Sequence, residues 1–320
     1  MKLGVFAVLL SDRPLEAALD HIVSLGLDAV EIGTGAYPGN AHCDPGRLLS
    51  DDGALDTFRR AVEDRGLEIS ALSCHGNPLH PDRAVADEHD AAFEKTVELA
   101  ARLGVGRVIT FSGCPGAGPD AREPSWIVSA WPPEFPKMLE WQWAERVIPY
   151  WTRAAERCRA AGVKVAIEMH PNFVAYNPST MLRLRDAAPD VIGCNFDPSH
   201  MFWQGIDPVA AIRALGDCIY HFHAKDCRID ARNTAVDGVL DAKPYTNEIE
   251  RSWIFRTVGY GHDERVWNDI VSQLRLVGYD DVISIEHEDS IMSPEEGLAK
   301  AVEFLKRVLI RKAAGEAYWA

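Results

Sequence analysis

The sequence predicts an α/β protein made of a single (β/α)8 (TIM) barrel over residues 1–320, and three observations support this. Apolar strand-like runs alternate with helical patterns eight times along the 320 residues. Most of the helical patterns end at a glycine, which can take the left-handed conformation that stops a helix. The first strand lacks the Gly-rich phosphate loop that doubly wound open sheets normally carry after it. A barrel of ordinary size fits this length.

The predicted strands are short apolar runs, and they span residues 3–10, 29–34, 69–75, 107–112, 163–170, 192–197, 219–225 and 282–287. The predicted helices show apolar residues at helical spacing, and they include residues 14–25, 54–65, 87–103, 141–161, 208–215, 265–276 and 294–309. The glycines expected to end them are Gly26, Gly66, Gly104, Gly162, Gly216 and Gly278.

Two connections are longer than a βα loop normally is, and they follow the fourth and the seventh predicted strand. Residues 113–139 are rich in proline and tryptophan, and residues 227–263 carry Trp253, Phe255 and Tyr260. Both long β4-α4 and β7-α7 loops belong to the catalytic face of a barrel. They are interpreted either as substrate walls or a lid, or as subunit contacts and loop packing.

Composition restricts the class of protein. The net charge of −15 argues against a nucleic-acid partner, and no apolar run is long enough to cross a membrane. The first ten residues are interpreted as a strand rather than as a signal peptide. Seven scattered cysteines without a C-x-x-C pair predict reduced thiols and exclude a thiolate zinc site. We therefore expect a cytoplasmic protein.

Residues that can bind metals follow four successive strands, the fifth to the eighth. The motifs are Ile167-Glu168-Met169-His170, Asn195 to His200, His221 to Asp226 and Ser284 to Asp289. Alternate residues of a strand share a face, so Glu168 and His170 point the same way. Buried carboxylates are costly unless they are paired or metal-bound, so these motifs predict one oxygen-rich divalent site. The alternative is ion pairing with barrel cations such as Lys225.

The strings I-E-x-H, N-F-D-P-x-H, H-x-K-D and I-E-H-E, in this order over nearly the whole chain, resemble the xylose-isomerase-like barrels. That group includes sugar phosphate isomerases and epimerases, ketose 3-epimerases and inosose dehydratases. The resemblance implies one divalent ion held by Glu168, Asp197, His223 and Glu286, with Mn²⁺ favoured over Mg²⁺, Co²⁺ or Zn²⁺. It also places His200 near the substrate, and we expect the four ligand side chains to reach a common point within about 8 Å.

The expected chemistry is proton abstraction next to the carbonyl of a keto-sugar or related polyol. Glu168 and Glu286 are the candidate base and acid, with the ion stabilising the enediolate. Lys225 is either a source of positive charge at the developing oxyanion or a structural partner of Asp226 or another carboxylate. His170 is an additional candidate base or an orienting residue, and His75 is expected to shape the substrate pocket.

One difference from similar ketose 3-epimerases leads to a second candidate reaction. Similar ketose 3-epimerases carry a glutamate six residues after the first ligand, where this chain has Val174, so a free ketohexose is not the expected substrate. The alternative is a lyase, of the inosose dehydratase type or of the C-glycoside deglycosidase α-subunit type. The latter acts on a 3-oxo-glycoside and implies a small β-subunit as partner; otherwise a homo-oligomer is expected.

Two further alternatives remain. A non-catalytic sugar-binding or scaffold barrel would bind metal without exchanging carbon-bound hydrogen. A DNA-repair barrel of the endonuclease-IV type would require three zinc ions and a basic surface, which the acidic composition disfavours.

Overall fold

The computed structural model describes residues 1–313, 315–317 and 319, and it contains the predicted barrel. Eight parallel strands close into a ring in the order β1-β10-β7-β6-β5-β4-β3-β2. The barrel strands are β1 (Lys2–Phe6), β2 (Ala29–Gly33), β3 (Glu68–Ser73), β4 (Arg107–Phe111), β5 (Lys164–Glu168), β6 (Ile192–Phe196), β7 (Ile219–Ala224) and β10 (Val282–Ile285). The predicted fold class is confirmed.

Helices surround the barrel, and they are α1 (Leu15–Ser24), α2 (Pro45–Ser50), α3 (Asp52–Glu63), α4 (Arg83–Leu103), α5 (Glu134–Trp141), α6 (Ile148–Ala161), α7 (Pro178–Arg185), α8 (Pro198–Phe202), α9 (Pro208–Leu215), α10 (Ala231–Asp237), α11 (Glu264–Leu276) and α12 (Pro294–Val308). All six glycines predicted to end helices have φ between +54° and +86°. Side chains that project outward from the strands pack against these helices and form the main apolar core.

Some boundaries differ from the sequence prediction. The first strand ends at Phe6, and residues 7–10 form a 3-10 turn instead of continuing it. The helix predicted over 141–161 begins earlier, because α5 continues through a π-helical turn at Gln142–Val147 into α6. In that turn the buried Gln142 amide donates to the carbonyls of Pro115, Gly116 and Ser125, which fixes the preceding loop.

The long connection after β7 has structure of its own. Strands β8 (Asp226–Ile229) and β9 (Trp253–Arg256) pair antiparallel outside the barrel, with α10 between them. The buried Asp226 carboxylate accepts hydrogen bonds from the backbone N–H groups of Gly259, Gly261 and His262 and from the indole of Trp267. This carboxylate therefore fixes the far end of the connection beside its start.

Two further observations concern membrane-spanning segments and thiols. Among the described residues, no helix combines the length and the apolar character needed to span a bilayer. All seven cysteines are buried and free, in agreement with the predicted reduced thiols.

Candidate metal centre

The four candidate ligands converge at the carboxyl-terminal mouth of the barrel. Glu168 is the last residue of β5, Asp197 directly follows β6, His223 lies in β7 and Glu286 directly follows β10. One ligand atom from each lies within 4.8 Å of the ligand atoms of the other three. Since carboxyl ends of parallel strands meet at one rim, residues 118 positions apart in the chain (168 to 286) become neighbours.

Asp197 uses one carboxylate oxygen to cap a helix, and its other oxygen faces the cluster. It is the N-cap of α8, and its Oδ1 accepts from the backbone N–H of Ser199 at 2.8 Å. Its Oδ2 forms no hydrogen bond of good geometry among the described residues and faces the cationic Lys225 at 3.0 Å. The capping contact fixes the rotamer and keeps the second oxygen available for a cation.

His223 is oriented by a carboxylate on the opposite side of its ring. Its Nε2 lies 2.9 and 3.0 Å from the two oxygens of the fully buried Glu31. Glu31 in turn accepts from the hydroxyls of Ser73 at 2.6 Å and Ser284 at 2.7 Å. An Nε2–H donated to Glu31 leaves Nδ1 directed at the cluster, which is how metal-binding histidines are commonly held.

Glu168 is fixed by polar groups that belong to, or follow, other strands of the barrel. Its Oε2 accepts from Asn195 Nδ2 at 3.0 Å and lies 2.9 Å from His75 Nε2. Its Oε1 lies 3.5 Å from Nε2 of His200, and the same nitrogen is 3.2 Å from Asp197 Oδ2. His75 and His200 thus contact the carboxylates directly.

Three ligand atoms of the cluster are buried and form no hydrogen bond of good geometry within the described part of the chain, namely Asp197 Oδ2, His223 Nδ1 and Glu286 Oε2. Their close contacts are ion pairs, of Lys225 Nζ with both oxygens and of His223 Nδ1 with Glu286 Oε2. One ammonium and one imidazole shared among several buried carboxylates only partly offset the hydration that these groups lose. Three carboxylates and one imidazole are a donor set suited to a divalent ion with preference for oxygen. The residues therefore fit the metal that the sequence implies.

Charges in the cluster are strongly coupled. Burial opposes ionisation of Glu168, but the charges of His75 and His223 outweigh it and hold the pKa of Glu168 well below its usual range. The pKa of Asp197 is raised to about 6, chiefly by burial, with Lys225 opposing and the neighbouring carboxylates adding to the increase. The pKa of His223 is raised well above its usual value because the surrounding carboxylates outweigh its burial.

Lys225 neutralises part of this negative charge. Its Nζ lies 3.0 Å from Asp197 Oδ2, 2.8 Å from Glu286 Oε2 and 3.1 Å from Glu288 Oε2. Burial would lower the pKa of Lys225, but these carboxylates raise it well above its usual value, so it is a cation. Asp226, which the sequence suggested as a possible partner of Lys225, does not pair with it, because the Asp226 carboxylate faces the long connection after β7.

His170 lies beside the cluster and makes no hydrogen bond to its carboxylates among the described residues. Its ring centre is 4.1 Å from that of His200, and its Nδ1 is 2.5 Å from the carbonyl oxygen of Pro171. Burial and the charge of His200 lower the pKa of His170 to about 3, so it is neutral. A cavity of about 200 Å³ next to it is lined by His75, His170, Lys225 and both glutamates 168 and 286.

Two contacts that orient the candidate ligands were not identified from the sequence. Asn195, which orients Glu168, stands two residues before Asp197 on the same face of β6, so strand alternation was the signal for it. From its place at the end of the second strand, Glu31 is expected to be a pocket-floor or ion-paired carboxylate, but the sequence does not indicate its partner, His223, which is 192 residues away in the chain. No local pattern encodes such a pair.

Comparison with known proteins gives a family and several relatives. The family model described as xylose isomerase-like TIM barrel matches residues 19–308. The chain is 39% identical over 312 residues to the uncharacterized protein YfiH of Bacillus subtilis, covering 97% of this chain and 99% of that one. It is 25% identical over 188 residues to the inosose dehydratase of Geobacillus kaustophilus, covering 58% of this chain and 57% of that one.

Solved structures share the fold. A D-psicose 3-epimerase determined in the presence of D-fructose superposes with a TM-score of 0.60 at 17% identity, over 97% of this chain and 99% of that one. The IOLI protein with a bound zinc atom gives a TM-score of 0.65 at 18% identity, over 96% of each chain. At these identities the similarity establishes the barrel architecture.

Proposed function

The chain belongs to the xylose isomerase-like TIM barrel family, and from this premise we propose that it is a divalent-metal-dependent sugar isomerase or epimerase. The proposed reaction removes a proton next to the carbonyl of a keto-sugar or related polyol and returns it through an enediolate. The observation that carries the proposal is the convergence of Glu168, Asp197, His223 and Glu286 within 4.8 Å at the barrel mouth.

These four residues would hold the ion. When bound, a divalent ion supplies positive charge that stabilises negative charge developing on a substrate oxygen. The identity of the ion is left to experiment, with Mn²⁺ as our first choice for a site rich in carboxylates that also has one imidazole.

In the proposed reaction, Glu168 and Glu286 move the proton. Both line the 200 Å³ cavity, and the pKa of each is lowered, because the surrounding cations outweigh the effect of burial. Each is therefore ionised at neutral pH and can accept a proton from carbon. The electron pair of the broken C–H bond moves into the carbonyl. The other glutamate takes up a proton from solvent and delivers it to the opposite face, which inverts the carbon, and the first glutamate then releases its proton to solvent.

Lys225 and His170 would support this step in different ways. The Lys225 ammonium is part of the cavity wall and can donate a hydrogen bond to an oxygen that gains negative charge. His170 is neutral at the same wall, so it can orient a substrate hydroxyl without adding charge. His75 and His200 hold the carboxylates in place, and we propose that they also contact the substrate.

A lyase is the second candidate function. Val174 is buried where similar ketose 3-epimerases carry a glutamate that contacts the sugar, and an inosose dehydratase is among the relatives. A lyase begins with the same deprotonation and then expels a group from the next carbon, so the site residues would keep their roles.

Deuterium exchange tests the proposal. The enzyme loaded with Mn²⁺ is incubated in D₂O with ketoses, inososes and 3-oxo-glucosides, and deuterium bound to carbon is measured by NMR. We expect exchange next to the carbonyl of at least one substrate, and none with protein treated with a chelator. Exchange together with loss of water or of an aglycone would select the lyase, and absence of exchange with every compound would reject both candidates.

A further inference from the structure

A second cavity adjoins the metal centre. It has a volume of about 360 Å³, and its walls include Trp126, Trp203, Trp253 and Phe255. His170 lines both cavities and therefore marks their common boundary. Phe255 lies 4.9 Å below the Lys225 ammonium, measured to the ring centre, so the aromatic wall begins directly beside the carboxylate cluster.

The aromatic wall is fixed by packing. The rings of Trp203 and Trp253 stack with centres 4.6 Å apart at 7°, and both residues are 5% exposed. The indole N–H of Trp253 donates to the carbonyl of Val239 at 3.0 Å. Arg251 covers the Trp253 ring at 4.8 Å from its centre. A wall locked in this way forms a preformed surface rather than a loop that collapses into the space.

Two hydrogen-bond donors in this wall are unused. The indole Nε1 atoms of Trp126 and Trp203 are buried and have no hydrogen-bond partner among the residues that the structure describes. Buried tryptophans usually find an acceptor for this N–H group. Both nitrogens are shielded from solvent, so neither is available to a ligand in the cavity.

Apolar side chains are also exposed at the opening. Val128 and Leu240 line the cavity and are 47% and 70% exposed. They belong to the two long loops, one after β4 and one after β7, so the cavity lies where both meet. A concave, mainly apolar site with a few polar groups is typical of a binding site for a small ring-containing molecule.

We infer that this second cavity binds a flat, apolar part of the substrate, which makes the substrate a keto-sugar joined to an aromatic or similar ring system. This inference rests on the proposed function, because it assumes that the keto-sugar itself occupies the cavity at the carboxylate cluster. A cavity of about 150 Å³ is enough to hold benzene, so 360 Å³ accommodates one or two fused rings.

Paired ligands test the inference. Binding of phenyl 3-oxo-β-D-glucoside and methyl 3-oxo-β-D-glucoside to the Mn²⁺-loaded enzyme is measured by titration calorimetry. We expect the phenyl compound to bind at least about tenfold more tightly, because its ring leaves water for an apolar wall. Equal affinities, or no binding of the phenyl compound at millimolar concentration, would overturn the inference.

Variants show whether the ring occupies this cavity. Val128→Asp and Leu240→Asp place charge at the opening on exposed residues, where folding tolerates it, and each should remove most of the phenyl preference. Val236→Asp is the matched control, because Val236 lies in the same β7 loop, is 83% exposed and is not among the cavity residues. A phenyl preference that survives both cavity variants would place the ring elsewhere and overturn the inference.

The two proposals fail in different ways. Deuterium exchange with simple keto-sugars, combined with no phenyl preference, would reject the second binding site and leave the proposed reaction standing. A phenyl preference that the cavity variants remove, without carbon-bound exchange in any compound, would support the binding site and reject the proposed reaction.

Discussion

Replacing Glu31 by glutamine should weaken metal binding although Glu31 is not one of the four proposed ligands. Its carboxylate lies 2.9 Å from Nε2 of His223 and is fully buried, with hydroxyl donors from Ser73 and Ser284. Glutamine keeps the size and one acceptor oxygen, but it removes the negative charge that makes the imidazole a better ligand. Loss of such an orienting partner typically lowers metal affinity about 10- to 100-fold.

The size of the effect follows from ligand-linked stability. At a metal concentration about 100 times the wild-type Kd, binding raises the free energy of unfolding by about 2.7 kcal/mol. With affinity reduced 10- to 100-fold, the same concentration gives about 1.4 to 0.4 kcal/mol. For 320 residues the unfolding entropy is about 0.67 kcal/mol/K, so the metal-induced rise in Tm falls from about 4 °C to about 2 °C or less.

The assay is a thermal melt of each protein with chelator and with Mn²⁺. Comparing the two melts within one variant removes any change in the stability of the metal-free protein. Glu303→Gln, which alters a carboxylate with 78% of its side chain exposed, is the control and should keep the wild-type shift. An equal metal-induced shift in the Glu31 variant and the wild type would refute the orienting role.

Three further predictions concern the cluster itself. Glu286→Gln should abolish turnover, measured as deuterium exchange, while calorimetry shows at most a moderate loss of metal affinity, because the amide oxygen remains a ligand. Lys225→Met should lower the unfolding free energy of the metal-free protein by about 3–5 kcal/mol in urea titrations, because it leaves buried carboxylates unpaired, and less with Mn²⁺ bound. Metal affinity should fall with decreasing pH. Above pH 6 the expected decrease is about tenfold per pH unit, because the ion displaces the proton of His223. Below pH 6 it reaches up to about a hundredfold per unit, because Asp197 is also protonated there.

Each of these has a contrary outcome. Wild-type exchange in the Glu286 variant would remove that residue from the chemistry. A stability loss for the Lys225 variant that is equal with and without metal would show that the ion does not share its carboxylates. For the pH prediction, calorimetry in two buffers of different ionisation enthalpy counts released protons, and a count near zero between pH 5 and pH 7 would contradict it.

Much of the barrel could be predicted from the sequence, because its strands are short apolar runs bounded by turn residues. All eight predicted strands are present, and the ends differ by a few residues where a 3-10 turn or an N-cap replaces the last strand residues. Helix α7 was missed although Asn177 and Pro178 provide a capping box and a proline at its start. That helix is only eight residues long, and its apolar pattern is correspondingly weak.

The candidate ligands were predictable for a similar reason. Each belongs to a strand end, so the fold alone brings them to one rim, and their chemistry was visible in the motifs. The pairing of Glu31 with His223 and the second cavity were not predictable. Both depend on contacts between side chains across the barrel or between long loops. Hydrophobic periodicity contains no information about such long-range contacts.

Lys225 and Asp226 are consecutive residues that face opposite directions, one into the carboxylate cluster and the other into the base of the outer loop. Because Asp226 ties residues 259–262 back to the barrel rim, the segment between is a closed insert with both ends anchored. Its length and sequence can change while both ends stay attached to the barrel. We therefore expect exchange of this insert between homologous barrels to alter the selectivity of the proposed enzyme, with Glu168 and Glu286 left in place.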